Sequence, residues 1–221
     1  MNNIPTMTKN LLIVNFLAFA ATWVLELRGI DLTQLLGLHF FLASDFQIYQ
    51  FFTYMFLHGG FTHIFFNMFA LWMFGSVIER VWGPKKFIFY YIVCGIGAGI
   101  TQELVQYATY TIEGISAYQY VSAGGVQMTT DAYINLWTTI GASGAVYGIL
   151  LAFGMIFPNE RLFIIPFPFP HQGQVAYRGL YCHRTVLGYD RSWRWSGSHG
   201  SSGWYVVRIP ADTLLAEASG L

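Results

Sequence analysis

The sequence predicts an all-α membrane protein: a helix bundle with four membrane-crossing segments, followed by an irregular tail. Three observations predict it. Of the 221 residues, 55% are hydrophobic and only 10% are charged, against about 25% charged in an ordinary soluble domain. The mean hydropathy is +0.47. Four apolar runs approach the roughly 20 residues that cross about 30 Å of hydrocarbon.

The composition also excludes several functions. Lys+Arg and Asp+Glu both number 11, so the formal net charge is zero. A nucleic-acid partner would require a positive field. Disorder would require low hydrophobicity and high net charge. Cys94 and Cys182 form neither a disulfide framework nor a metal motif, and nothing calls for a metal or other cofactor.

The first span covers about 11–27, interrupted by Asn15, Thr22 and Glu26. Lys9 and Ala18-Phe19-Ala20 have the look of a cleavable leader, but the apolar run continues past them, which favours an anchored helix. The second span covers about 61–81, rich in Phe and Met, and carries His63 and Asn67. The third, about 87–106, contains Gly95, Gly97 and Gly99. The fourth, about 137–157, holds no charge and ends at Pro158-Asn159, since proline cannot continue a helix. With the amino terminus inside, Lys9, Arg80, Lys85, Lys86 and Arg161 fall on the cytoplasmic side and only Arg28 outside, a positive-inside pattern that suits a cell (inner) membrane. Two connections, 28–60 and 107–136, then lie outside. The first contains Leu38-His39-Phe40-Phe41 and is greasy enough to rest in the membrane interface.

Polar groups at membrane depth are costly. His63 and Asn67, four residues apart, share one helix face, where the plain reading is a hydrogen bond between helices. Gly141-Ala142-Ser143-Gly144 sets a sterically bare serine at the outer end of span four. Its plain reading is close packing through Gly144 and Gly148. Together the two sites suit one chemistry, because a serine nucleophile needs donors for a tetrahedral oxyanion and a base for its proton.

At these residues the chain resembles the rhomboid intramembrane serine proteases. The resemblance is carried by L-H-G-G-F-T-H-I-F-F-N-M at 57–68, E-R-V-W-G at 79–83 and G-A-S-G-A-V-Y-G at 141–148. It implies that Ser143 is the nucleophile, with Gly141 and Gly144 around it. It implies that His63 and Asn67 are oxyanion donors, that Tyr147 stacks on a catalytic histidine, and that His58 supports the site. It also implies a lipid bilayer around the protein and transmembrane protein substrates cleaved by a Ser–His dyad without a cofactor. The interface loop departs from the family at Tyr49-Gln50, where many members have Trp-Arg.

The resemblance implies six spans, with the catalytic histidine on the sixth in an A-H-x-G-G motif. Here the apolar pattern stops after Pro166-Phe167-Pro168-Phe169-Pro170. This divides the chain into a membrane domain, 1–170, and a tail, 171–221, that does not follow the family. The domain carries six Lys+Arg and eight Asp+Glu, the tail five and three. Three of the seven Trp, at 193, 195 and 204, lie in the tail beside a Ser/Gly-rich run. One reading is a soluble, linker-like appendage. The other, favoured by codon arithmetic, is a shift of reading frame near Pro170. Read one base later, every Trp becomes Gly, and permitted third bases yield two apolar spans. The second contains A-H-L-G-G, its histidine straddling Ser201 and Ser202.

As written, the chain keeps the nucleophile and the oxyanion donors but has no base in the family position. His171, His183 and His199 follow span four and start on the opposite side from Ser143. The expectation is an inactive chain, with Gly144 and Gly148 facing lipid for want of a sixth span and poor folding in detergent. The alternative function is a non-catalytic rhomboid-like protein that binds membrane clients. A transporter would need charges along several spans, and Glu103 alone qualifies.

Overall fold

The computed structural model describes residues 3–158 and the short strands Arg161–Phe163 and Pro170–Gln172. The tail beyond these, with His183, His199 and the rereadable stretch, lies outside the described residues. Three long apolar helices and one shorter one form the bundle: α1 (Thr6–Glu26), α4 (Phe61–Trp82), α5 (Pro84–Ile112) and α7 (Ser143–Ile156). Between them lie α2 (Leu32–Leu36), β1 (Leu38–His39), α3 (Gln50–Thr53), β2 (Tyr120–Ala123), β3 (Val126–Thr129), α6 (Thr130–Asn135) and β4 (Thr138–Thr139). The strands pair only in twos: β1 with β4, β2 with β3, and Arg161–Phe163 with Pro170–Gln172, all antiparallel.

Helices α1 and α5 depart from their expected bounds for local reasons. Helix α1 starts at Thr6, earlier than 11, because the Glu79 carboxylate takes its free amino-terminal donors. Met7 N and Thr8 N donate to Glu79 at 2.9 and 2.7 Å, and the Thr8 hydroxyl donates at 2.8 Å. Helix α4 crosses as one rod with a π-helical turn at Leu71–Gly75. Helix α5 runs 29 residues, about 43 Å, longer than the hydrocarbon is thick. Its last turns carry Thr109 and Thr111, whose hydroxyls bond the carbonyls of Val105 and Tyr107.

The fourth span requires a correction. It is helical only from Ser143, not from Trp137, and spans 14 residues. Residues 137–142 are largely extended, because Thr138 and Thr139 pair with His39 and Leu38 and Gly141 has φ +127°. The expected lipid exposure of Gly144 and Gly148 is also overturned. A Cβ at Gly148 would lie 2.5 Å from the Cys94 sulfur, and one at Gly144 would collide with Ala98. Both glycines pack against α5, the third span, so this small-residue seam needs no sixth helix.

The bundle core joins Leu11, Ile64, Leu71, Ile78, Phe87, Tyr91 and Ile149. The outward faces stay apolar, as at Phe16, Leu17 and Trp23 of α1, which suits a lipid solvent. A second, smaller core lies between the two connections: Phe40 and Ala43 from the first, Ile115, Val121, Tyr133 and Ile134 from the second. The two connections therefore form a folded cap rather than plain loops. Gln50 is central to the first connection. Its Oε1 accepts from His39 N and Gln47 N, and its Nε2 donates to the Asp45 carbonyl. Three neutral hydrogen bonds through Gln50 thus staple the loop. Glu103 adds a tether from α5, accepting from Phe41 N at 2.8 Å.

Candidate active site

His63 stands in the first turn of α4, and Ser143 is the first residue of α7. The two meet across Gly141. A Cβ at Gly141 would lie 2.9 Å from both Cε1 and Nε2 of His63, and 3.8 Å from the Ser143 hydroxyl oxygen. A side chain there is excluded twice, by the imidazole and by the positive φ. The ring and the hydroxyl thus flank one small space.

The tautomer of His63 follows from its neighbours. Gly59 N donates to Nδ1 at 3.4 Å, so Nδ1 is the acceptor and Nε2 carries the proton. That Nε2–H is buried and has no partner among the described residues. This unused nitrogen lies beside Gly141, where a Cβ would stand 2.9 Å from it. Asn67 lies one turn along α4 and is buried, but its Nδ2 donates to the His63 carbonyl at 2.9 Å. Its amide is engaged within its own helix rather than at Ser143.

His58 packs edge-on against His63, with ring centroids 5.0 Å apart and an interplanar angle of 65°. Burial, and secondarily the neighbouring His63, push its pKa down from 6.5 to about 4. A neutral ring next to His63 keeps positive charge away from that imidazole. Tyr147 is 41% exposed on α7, one turn past Ser143. Gly144 sits under Ser143, where the α5 backbone approaches.

Several contributors carry no sequence signal. The Tyr54 carbonyl accepts the Gly141 N–H at 2.9 Å, and its hydroxyl donates to the Gly95 carbonyl at 2.7 Å. Tyr54, Gln102, Thr139 and Ile140 line a small open cavity with Gly141 and Ser143. These residues come from three separate segments, around 54, 102 and 139–143, and no short motif joins them.

The chain is similar in sequence to known proteins. The model of the rhomboid domain matches residues 45–180. The chain is 35% identical over 99 residues to rhomboid protease AarA of Providencia stuartii, covering 44% of this chain and 30% of that protein. It is 28% identical over 123 residues to Rhomboid protein 1, mitochondrial, of Saccharomyces cerevisiae, covering 55% and 29%. With rhomboid protease GluP of Bacillus subtilis the identity is 30% over 105 residues, covering 47% and 20%. The matched stretch is therefore less than a third of the length of each of these relatives. The family model covers well over half of this chain, its match includes His63, Asn67 and Ser143, and the chain belongs to the rhomboid family.

Proposed function

We propose that this chain carries the nucleophile and oxyanion half of an intramembrane serine endopeptidase site acting on transmembrane protein substrates. The observation that supports it most is the unpartnered His63 Nε2–H beside Gly141 and Ser143. In this reading the Ser143 oxygen attacks a substrate carbonyl and gives its proton to a base. His63 Nε2–H and the Ser143 N–H hold the resulting oxyanion. Asn67 joins them once its side chain leaves the His63 carbonyl. The amine then departs with the proton, and water hydrolyses the acyl-enzyme. By resemblance, Tyr147 would stack on the histidine base. Removing one oxyanion donor typically costs 10²–10³-fold in rate, on the order of 3 kcal/mol.

The base is the open part. Residues 1–170 form the membrane domain in this proposal, in a cell (inner) membrane with the amino terminus cytoplasmic. Residues 171–221 are out of frame, and the chain as written does not turn over. A fluorophosphonate probe tests this in two purified chains: this one, and one whose codons after Phe169 are read one base later. The expected result is no label on the first, and label on the second that Ser143→Ala abolishes. Label on Ser143 of the chain as written overturns the inactivity. A stop codon, or no histidine, in the shifted frame overturns the frame reading. Client binding without cleavage is the second reading, favoured by the lack of an A-H-x-G-G motif as written. It gains ground if both chains retain a transmembrane client and neither takes label.

A further inference from the structure

Among the described residues, the two ends of the bundle carry opposite charge. At one end, Arg80, Lys85 and Lys86 flank the turn from α4 to α5 at Gly83, and Lys9 lies near it on α1; all four are exposed. Gly83 N donates to the Glu79 carbonyl and Phe87 N to the Gly83 carbonyl, so the three cations of α4 and α5 stand within about one helical turn of that glycine. Arg80 donates to the Asn3 carbonyl at 3.2 Å, and Met7 N and Thr8 N donate to Glu79, which brings Lys9 to the same end. At the other end Glu26, Asp31, Glu113 and Asp131 are exposed, with Arg28 as the cation beside them.

Glu79 is the one acid within residues 1–25 and 46–102. It is 4% exposed, and its two oxygens accept from Met7 N, Thr8 N and the Thr8 hydroxyl. Its charge is turned to the start of α1 and not to the surface where the cations lie.

The surface beside these cations is apolar. Val81 is 52% exposed and Phe89 is 70% exposed. Phe89 lies four residues beyond Lys85 and three beyond Lys86, on the same face of α5 and one turn farther along it. Trp82 belongs to the residue type that concentrates at the headgroup level of a bilayer. The Lys86 Nζ stands 5.0 Å from the centroid of its ring. A free phosphate would meet the cations but gain nothing from Val81 and Phe89. A phospholipid offers an anion at the level of the lysines and acyl chains at the level of Phe89.

We propose that the α4–α5 turn, through Arg80, Lys85, Lys86 and Trp82, is a docking site for the headgroup of an anionic phospholipid whose acyl chains lie along Phe89 and Val81. The cations donate to the phosphate, and the long lysine stems let their ammonium groups reach headgroup level while Phe89 stays in the hydrocarbon. The site requires neither that Ser143 be a nucleophile nor that the amino terminus lie on a particular side.

The test reconstitutes the full chain in bilayers of phosphatidylcholine with increasing phosphatidylglycerol, each lipid in turn brominated near the top of its acyl chains. Bromine quenches a nearby indole, and Trp82→Phe isolates the share of the fluorescence that Trp82 supplies. If that variant does not fold, the phosphatidylglycerol retained after exchange into detergent is counted by its phosphorus, and the remaining variants are compared in that way. Phosphatidylglycerol is expected to be favoured over phosphatidylcholine, and Lys85→Gln and Lys86→Gln each to cut the preference about fivefold at low salt. Arg28→Gln, which removes the cation at the opposite end, is expected to leave it unchanged. Equal association of the two lipids overturns the proposal. So does an equal loss in Arg28→Gln, which would mean that net charge alone attracts the lipid. A preference abolished by inorganic phosphate, but not by chloride at the same ionic strength, also overturns it, in favour of a free-anion site.

Discussion

Glu79 on α4 accepts three hydrogen bonds from the start of α1, two from Met7 N and Thr8 N and one from the Thr8 hydroxyl, across 71 to 72 residues of sequence. The carboxylate is 4% exposed. It acts as the cap that Pro5, lacking a donating or accepting side chain, does not supply. Glu79→Ala leaves three buried donors without an acceptor, and each such loss costs on the order of 1 kcal/mol or more. The expected destabilisation is about 3 kcal/mol, read as a lower unfolding midpoint in detergent. Glu79→Gln should lose less, since one amide oxygen still accepts. Equal midpoints for Glu79→Ala and the unmutated chain would refute the cap.

His58 makes stability depend on pH in a definite direction. Unfolded, its ring takes a proton near 6.5; folded, only near 4. Between these values the unfolded state binds more protons, so stability falls as pH falls from 6.5 and the loss is complete below about 4. The full effect is on the order of 3 kcal/mol. Carboxylates titrate in the same range, so the informative quantity is the difference from His58→Phe, a ring of similar size without a titrating group. Melting in detergent from pH 7 to 4 should show a steeper decline for the unmutated protein. Parallel curves would mean that the buried ring does not resist protonation.

The Tyr54 hydroxyl and carbonyl are separable by mutation. Tyr54→Phe removes the hydroxyl bond to the Gly95 carbonyl but keeps the carbonyl bond to Gly141 N. Its cost should be about 1 kcal/mol, a typical net value for one hydrogen bond. The strap 137–142 before Ser143 should keep its hydrogen-exchange protection. Faster exchange at Gly141 in this variant would mean that the α5 anchor, and not the backbone bond, sets the strap.

The parts of the site that were legible from sequence are those written in local spacing. His63 and Asn67 share a face because they are four residues apart, and Ser143 between glycines implies a bare hydroxyl. Their convergence was legible only through resemblance to a family, because the contact of Gly141 with His63 joins segments 78 residues apart. The cap formed by the two connections is not legible, for another reason. Hydropathy treats 107–136 as one connection, yet Gly124-Gly125 between two short runs is a two-residue hairpin signal. Both glycines have positive φ, as that turn requires. His39 gave no sign at all. Two of its ring partners, the Gln34 and Asn135 oxygens, are backbone carbonyls, which every sequence possesses.

The Gly141–His63 contact makes the last prediction the sharpest. Gly141→Ala should destabilise for two independent reasons: an alanine at φ +127° is strained, and its Cβ would stand 2.9 Å from the imidazole. The two are separable, because only the second depends on His63. Gly141→Ala alone should cost about 2–3 kcal/mol. In a His63→Ala background the steric part vanishes while the backbone strain remains, so the cost should fall by about 1 kcal/mol. A double-mutant cycle of unfolding free energies in detergent reads that coupling without any catalytic turnover, so it applies to the chain as written. Zero coupling would mean that His63 turns aside at no cost. The imidazole would then not be fixed beside Ser143, and the oxyanion role proposed for its Nε2–H would lose its structural basis.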